Sequence, residues 1–211
     1  MDPRIQRLFA EMETRWQREQ EEQARLSRDE AYARIDEYLL PVGPETGRLM
    51  NDLIRAAKPR HIVEVGSSYG YSTLWLAEAA QSVGGHITSL ELNPGKIAAA
   101  SAMLDSVGLS ECVRFIEGDA LASIEALDEP IDFALVDLWK DLYLPCFDRM
   151  RDKLSIGAIV ISDNMIFPPE NAGNAQAYRA HILADGRFDS VLLPIGSGIE
   201  ITRRRPDTDG L

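Results

Sequence analysis

From about residue 40 onward, short apolar runs alternate with longer amphipathic stretches, and this alternation leaves the chain few folds to choose from. HIVEVG (61–66), HITSLE (86–91), VRFIEGD (113–119), FALVD (133–137) and AIVISDN (158–164) have the length and β-branched content of strands. Between them, GPETGRLMNDLIRAA, the stretch from Ser72, NPGKIAAASAMLDSVG and LYLPCFDRMRDKL read as helices, the third with a proline near its start. The final FDSVLLPIGSGIEITRR reads as a hairpin turning at Gly196 and Gly198. Parallel strands need a crossover of helical length, so the pattern predicts an α/β fold. Its sheet is mainly parallel, with helices on both faces and an antiparallel hairpin at the C-terminal end. Ligands of such sheets sit beyond the carboxyl ends of the strands.

Residues 1–40 form an N-terminal helical extension rich in Glu, Gln and Arg, ahead of a main domain at 41–211. Ile5, Leu8, Phe9, Met12 and Trp16 recur at three- and four-residue steps and draw one apolar stripe. Such a stripe covers a core or meets a second copy of the chain as a homodimer; a lid over the functional site is the sharper alternative.

The chain has 211 residues, enough for one sizeable core. No run approaches the roughly 18 apolar residues of a membrane span, and the acidic, interrupted N-terminus is not a secretory signal. A cytoplasmic protein without membrane attachment is expected. Asp and Glu number 34 against 22 Lys and Arg, a net charge of −12, which repels phosphate backbones and argues against nucleic acid as a partner. Cys112 and Cys146 lack metal-ligand spacing and are expected as free, packed thiols. His61, His86 and His181 are scattered along the chain and read as structural or solvated.

IVEVGSSYGYST places Gly66 and Gly70 directly after the first strand, opening into a helix. Glycines there let backbone approach a ligand while helix N–H groups face it, although a purely structural turn uses them too. The spacing differs from the dinucleotide GxGxxG. Glu91 ends the second strand 25 residues after Gly66, where a carboxylate can accept from both ribose hydroxyls. With Glu64 inside the first strand, the arrangement favours an adenosine-bearing ligand. Asp119, ending the third strand, is placed to accept from an adenine amino group.

Three strand ends carry further oxygen donors. FALVD ends in Asp137, AIVISDN ends in Asp163 and Asn164, and Lys140 follows three residues after Asp137. Two carboxylates and an amide along one sheet edge suit a hard cation such as Mg²⁺, and the lack of Cys or His among them argues against zinc. A Lys beside such an ion loses basicity and can take a proton near neutral pH. The alternative leaves both acids as caps of following segments and Lys140 as a surface charge.

At these residues the sequence resembles the metal-dependent catechol O-methyltransferases, a branch of the class I S-adenosylmethionine-dependent methyltransferases. The likeness runs from about Tyr38 to Arg204 through VEVGSSYGYS, LELNP (90–94), VDLWKDLYLP (136–145), SDN (162–164) and GIE (198–200). It implies a Rossmann-like methyltransferase fold with a seven-stranded sheet, S-adenosylmethionine and Mg²⁺ as cofactors, and a small aromatic diol as substrate. On this likeness Asp137, Asp163 and Asn164 bind the metal and Lys140 is the general base. Glu200 accepts from the second substrate hydroxyl, Asn164 also faces substrate, and Tyr38 and Pro168 wall the aromatic ring. Val42, Glu64, Gly66, Ser68, Tyr69, Ser72, Glu91, Asp119, Ala120, Asp137 and Trp139 would surround the cofactor, with Trp139 packed on adenine. Leu138 departs from the His common in the catechol enzymes, the aromatic of the glycine loop comes one place late, and Tyr38 replaces a larger indole. Trp139 departs from the acidic residue of the caffeoyl-CoA branch. A larger phenolic or CoA-linked acceptor, or a cofactor-binding module without chemistry, are the rival readings.

Overall fold

A computed structural model describes residues 1–206; the end of the expected main domain, 207–211, lies outside the described residues. The five apolar runs form β1 (His61–Val65), β2 (His86–Glu91), β3 (Val113–Glu117), β4 (Ile131–Val136) and β5 (Leu154–Ser162), and the hairpin gives β6 (Phe188–Leu193) and β7 (Ile199–Arg204). They build one seven-stranded sheet in the order β3-β2-β1-β4-β5-β7-β6. The pairs among β1 to β5 are parallel, whereas β7 runs antiparallel to both β5 and β6. The α/β expectation with its antiparallel end is met.

The helices are α1 (Pro3–Gln23), α2 (Arg28–Ala33), α3 (Pro44–Ala57), α4 (Tyr71–Val83), α5 (Pro94–Val107), α6 (Ala120–Glu125), α7 (Tyr143–Met150) and α8 (Ala172–Ala184). Local chemistry sets several starts. Asp2 caps α1 by accepting from the Arg4 N–H at 2.7 Å, with Pro3 in the first turn. Asn93 does the same for α5, ahead of Pro94. Three elements depart from the sequence reading: α6 and α8 were not expected, and α7 stops at Met150 rather than reaching Leu154. Leu154 already belongs to β5, whose lead-in is a turn closed by Lys153 N–H donating to the Met150 carbonyl at 2.8 Å.

Successive residues of a strand point to opposite faces, so the sheet feeds two cores. Ile62, Ile87, Phe133, Leu135 and Ile161 pack with α1, α3 and α4 side chains such as Phe9, Ile54, Leu74 and Trp75. Val63, Val65, Ala134, Val136 and Val160 pack with Tyr143, Phe147, Tyr178 and Ile182 of α7 and α8. Ile5 and Phe9 of the N-terminal stripe join the first core, and Phe9 stacks on Trp75 at 4.1 Å. Both cysteines are free. Among the described residues, no helix is long and apolar enough to cross a membrane.

Candidate active site

The carboxyl ends of β1 to β5 open into one cavity of about 1130 Å³. Its floor is the turn after β1. Gly66 has φ of +91°, and a Cβ there would lie 2.2 Å from the Asp137 carbonyl oxygen, so only glycine fits. Its N–H donates to the Leu90 carbonyl at 2.9 Å, tying the turn to β2. Glu91 accepts from the Ser68 N–H at 2.8 Å and the Asn93 N–H at 2.9 Å, which fixes its carboxylate at the cavity wall. Each oxygen keeps a further lone pair for a ligand hydroxyl. Asp119 caps α6 through the Ala122 N–H at 2.9 Å and also lines the cavity.

The residues expected to bind a metal end neighbouring strands. Asp137 follows β4 and Asp163 follows β5, neighbouring strands whose last pair is Val136 with Ser162. Asp163 is fully buried; its Oδ1 has no hydrogen-bond partner, and its Oδ2 accepts weakly from the Asn164 amide at 3.4 Å. Burial pushes the Asp137 carboxyl up to about 6, with the Lys140 charge opposing. Burial and the neighbouring Asp137 charge raise Asp163 well above the carboxylate range. Two acids forced up this way, one with an orphaned oxygen, form a donor set that a hard dipositive ion would satisfy.

Lys140 begins the turn Lys140–Leu142 and is almost wholly buried. Its Nζ donates to the Asp163 main-chain carbonyl at 2.6 Å and lies 3.5 Å from the centre of the Tyr143 ring. Burial lowers its pKa to about 8, and the Asp137 and Asp163 charges resist that fall. The expectation traced the depression to a nearby cation. Desolvation already lowers it, and a cation beside the two acids would lower it further.

Of the residues expected around a ligand, Gly66, Ser68, Ser72, Glu91, Asp119, Ala120, Asp137, Trp139, Lys140, Asn164 and Pro168 line the cavity. Trp139 is half-exposed, against Tyr32 of α2 at 5.7 Å. Six others stand back from it. Asp163 is fully buried, as described above. Val42 and Tyr38 are buried, with the Arg34 guanidinium 5.7 Å from the Tyr38 ring centre. The Tyr69 hydroxyl donates to the Asp36 carbonyl at 3.0 Å, and its ring lies under the Arg15 guanidinium.

Glu64 was expected around the cofactor. It sits beneath the turn, accepting from the hydroxyls of Ser72, Thr73 and Ser89 at 2.7, 2.7 and 2.6 Å, and burial pushes it up to about 7. It braces the turn and does not line the cavity. Glu200, expected to accept from a substrate hydroxyl, is fully buried, and its carboxylate accepts from Arg179 Nε at 3.1 Å and from the Ser190 hydroxyl at 2.6 Å. Those bonds hold it on the α8 side of the sheet.

The sequence reading missed one wall. Trp16, Glu19, Gln20 and Gln23 of α1 line the cavity, with Ile35, Asp36, Leu39 and Leu40 from the connection to α3. Trp16 in the N-terminal stripe was the available signal, under the lid alternative. Glu19 anchors this wall by accepting from the Leu39 N–H at 2.8 Å. Lys96 was also unremarked; it spans from α5 to Asp36 at 3.0 Å.

Residues 17–205 match the O-methyltransferase family. Mouse catechol O-methyltransferase is 30% identical over 146 residues, which cover 66% of this chain and 55% of that protein. The chain thus spans about half of that relative's length. Caffeoyl-CoA O-methyltransferase 1 of Nicotiana tabacum is 28% identical over 187 residues, covering 79% and 78%. Among solved structures, an SAH-bound Podospora anserina methyltransferase superposes with a TM-score of 0.75 at 24% identity, over 98% of this chain and 89% of that one. A Bacillus cereus O-methyltransferase in complex with SAH gives 0.74 at 23%, over 92% and 100%. The family match runs from the cavity-lining half of α1 to the last strand, and on that ground the chain belongs to the S-adenosylmethionine-dependent O-methyltransferase family.

Proposed function

We propose that this chain transfers the methyl group of S-adenosylmethionine to one hydroxyl of a small ortho-dihydroxy aromatic, with Asp137, Asp163 and Asn164 holding Mg²⁺ or a similar hard cation. The observation that carries the reading is the orphaned, buried Oδ1 of Asp163 beside Asp137 and the Lys140 amine. A cation bound there would polarise an acceptor hydroxyl and lower its pKa.

The chain's own groups supply the rest. Lys140, with its pKa brought down to about 8, is neutral in an appreciable fraction of molecules near pH 7 and takes the hydroxyl proton. The ammonium so formed is held by the Asp163 carbonyl, by the face of Tyr143 and by both acids. Glu91 orients the ribose, and Asp119 offers its second oxygen to the adenine amino group. Trp139, on the cavity wall, covers the adenine face. The turn held by Gly66, braced from below by Glu64, brings backbone close to the methionine part. Holding sulfonium carbon and hydroxyl oxygen in line accounts for much of the rate. Leu40, Leu142, Phe167 and Pro168 line the cavity with apolar surface that suits an aromatic ring.

One observation favours a free diol over a CoA thioester. Among the described residues lining the cavity there is no arginine, Lys96 is paired with Asp36 and Lys140 is buried at the acids. Glu19, Asp36, Glu91, Asp119 and Asp137 make the walls acidic, which repels the phosphates of CoA. The test is a panel of free ortho-dihydroxy aromatics and their CoA thioesters, scored by mass for the gain of one methyl group. Methylation of free diols, stopped by EDTA and restored by Mg²⁺, is the expected result. Turnover of thioesters alone would overturn the acceptor class, and full activity in EDTA would remove the cation.

A further inference from the structure

The sheet edge opposite the cavity carries a different set of donors. β1 and β2 begin with histidines, and their parallel register sets His61 beside His86. The two rings stack with centroids 4.9 Å apart and planes 17° off parallel. Glu129, on the loop leading into β4, places Oε2 3.0 Å from His86 Nε2. The next residue on that loop, Pro130, has its carbonyl 3.0 Å from His61 Nδ1. A carbonyl only accepts, so Nδ1 carries the proton and the Nε2 lone pair accepts from the Thr88 hydroxyl at 2.9 Å, a bond that an ion would have to displace. An imidazole whose outer N–H is held by a backbone carbonyl has the tautomer and orientation of a metal-bound histidine.

One donor atom from each of His61, His86 and Glu129 falls within 4.8 Å of the others. We infer that these three residues form a second metal site, suited to a borderline transition ion such as Zn²⁺. Two imidazoles and one carboxylate are a donor set for zinc, whereas the oxygen donors at the carboxyl edge suit Mg²⁺. Zinc–ligand lengths of about 2.0–2.2 Å put tetrahedral donors about 3.4 Å apart, so the cluster has to contract by up to about 1.4 Å. His86 and Glu129 are both exposed, and rotation of their side chains supplies that movement without shifting the strands. Water completes the fourth position. The bound ion ties the starts of β1 and β2 to the loop before β4, a part of the molecule the proposed methyl transfer does not use.

The test uses the full-length chain without an affinity tag, with excess Mg²⁺ present to occupy the oxygen site. Isothermal calorimetry with Zn²⁺ alone as the titrant is expected to show one ion bound per chain at micromolar concentration, with a rise in melting temperature. His86→Ala and Glu129→Gln, both at exposed positions, are expected to weaken that binding by about tenfold or more while leaving methyl transfer unchanged. Co²⁺ in place of Zn²⁺ should give visible bands of tetrahedral nitrogen–oxygen coordination that His86→Ala abolishes. The inference fails if the wild-type chain binds no zinc under these conditions, or if His86→Ala binds it as tightly as wild type. Neither failure bears on the methyl-transfer reading, whose assays contain no zinc.

Discussion

Gly66 is the residue at which sequence and chemistry meet most tightly. With φ at +91° and the Asp137 carbonyl oxygen 2.2 Å from any added Cβ, Gly66→Ala must push β4's end away from the turn. A loss of more than about 1 kcal/mol in stability is expected, with weaker S-adenosylmethionine binding, both measurable by melting and calorimetry. Beneath that turn, Glu64 has its pKa at about 7 against an ordinary 4.5. The folded chain therefore holds this proton more strongly than the unfolded one. The associated stability is fully present below about pH 4.5 and lost as pH rises through about 7. Glu64→Gln is expected to remove this dependence, which amounts to up to about 3 kcal/mol. Denaturation curves of the two proteins from pH 4 to 8 check it, and parallel curves would contradict it. At Lys140, replacement by Ala is expected to cut turnover by about 10²- to 10⁴-fold while S-adenosylmethionine still binds. The strand-end identities of Glu91, Asp119, Asp137, Asp163 and Asn164 were readable because residue type and strand position together define a donor edge. The direction of Glu200 was not. It is set by the register that pairs it with Ser162, and Ser162 itself meets Tyr178 of α8, so both side chains point to the α8 face.

Among the elements, α8 shows why sequence patterning stalls. Its buried positions are Ala175, Tyr178 and Ile182, one of them too small and one too polar to mark an apolar stripe. Yet this helix supplies Arg179, whose guanidinium neutralises the wholly buried Glu200. Arg179→Met leaves that carboxylate unpaired. The expected loss is about 2 kcal/mol, below the range for a fully enclosed pair because Arg179 is 41% exposed. A melting curve checks it, and no change would mean that water already screens Glu200. α6 escaped notice for a plainer reason: Ala120–Glu125 is under two turns long, fixed by its Asp119 cap rather than by periodicity.

At the scale of the molecule, the alternation of strands and helices was enough to give the sheet, its parallel body and its antiparallel end. The cavity followed, because parallel strands deliver their carboxyl ends to one edge. What periodicity could not give was the partner of the N-terminal stripe, since an apolar stripe states that something is covered without naming it. The structure answers twice along one rod. Ile5 and Phe9 are embedded in the core, whereas Trp16, Glu19, Gln20 and Gln23 stand on the cavity wall. The two ends of α1 accordingly have different anchors. Release of the half beyond about residue 14 would cost the Glu19–Leu39 bond and the partial packing of Trp16, while Phe9 could stay on Trp75. Amide hydrogens of that half should exchange faster with deuterium than those near Phe9, and slow markedly once ligand fills the space they border. If the rod does admit substrate by yielding at its far half, the toll falls on a few polar ties such as Glu19 to the Leu39 N–H, and the sheet's own stability is left untouched.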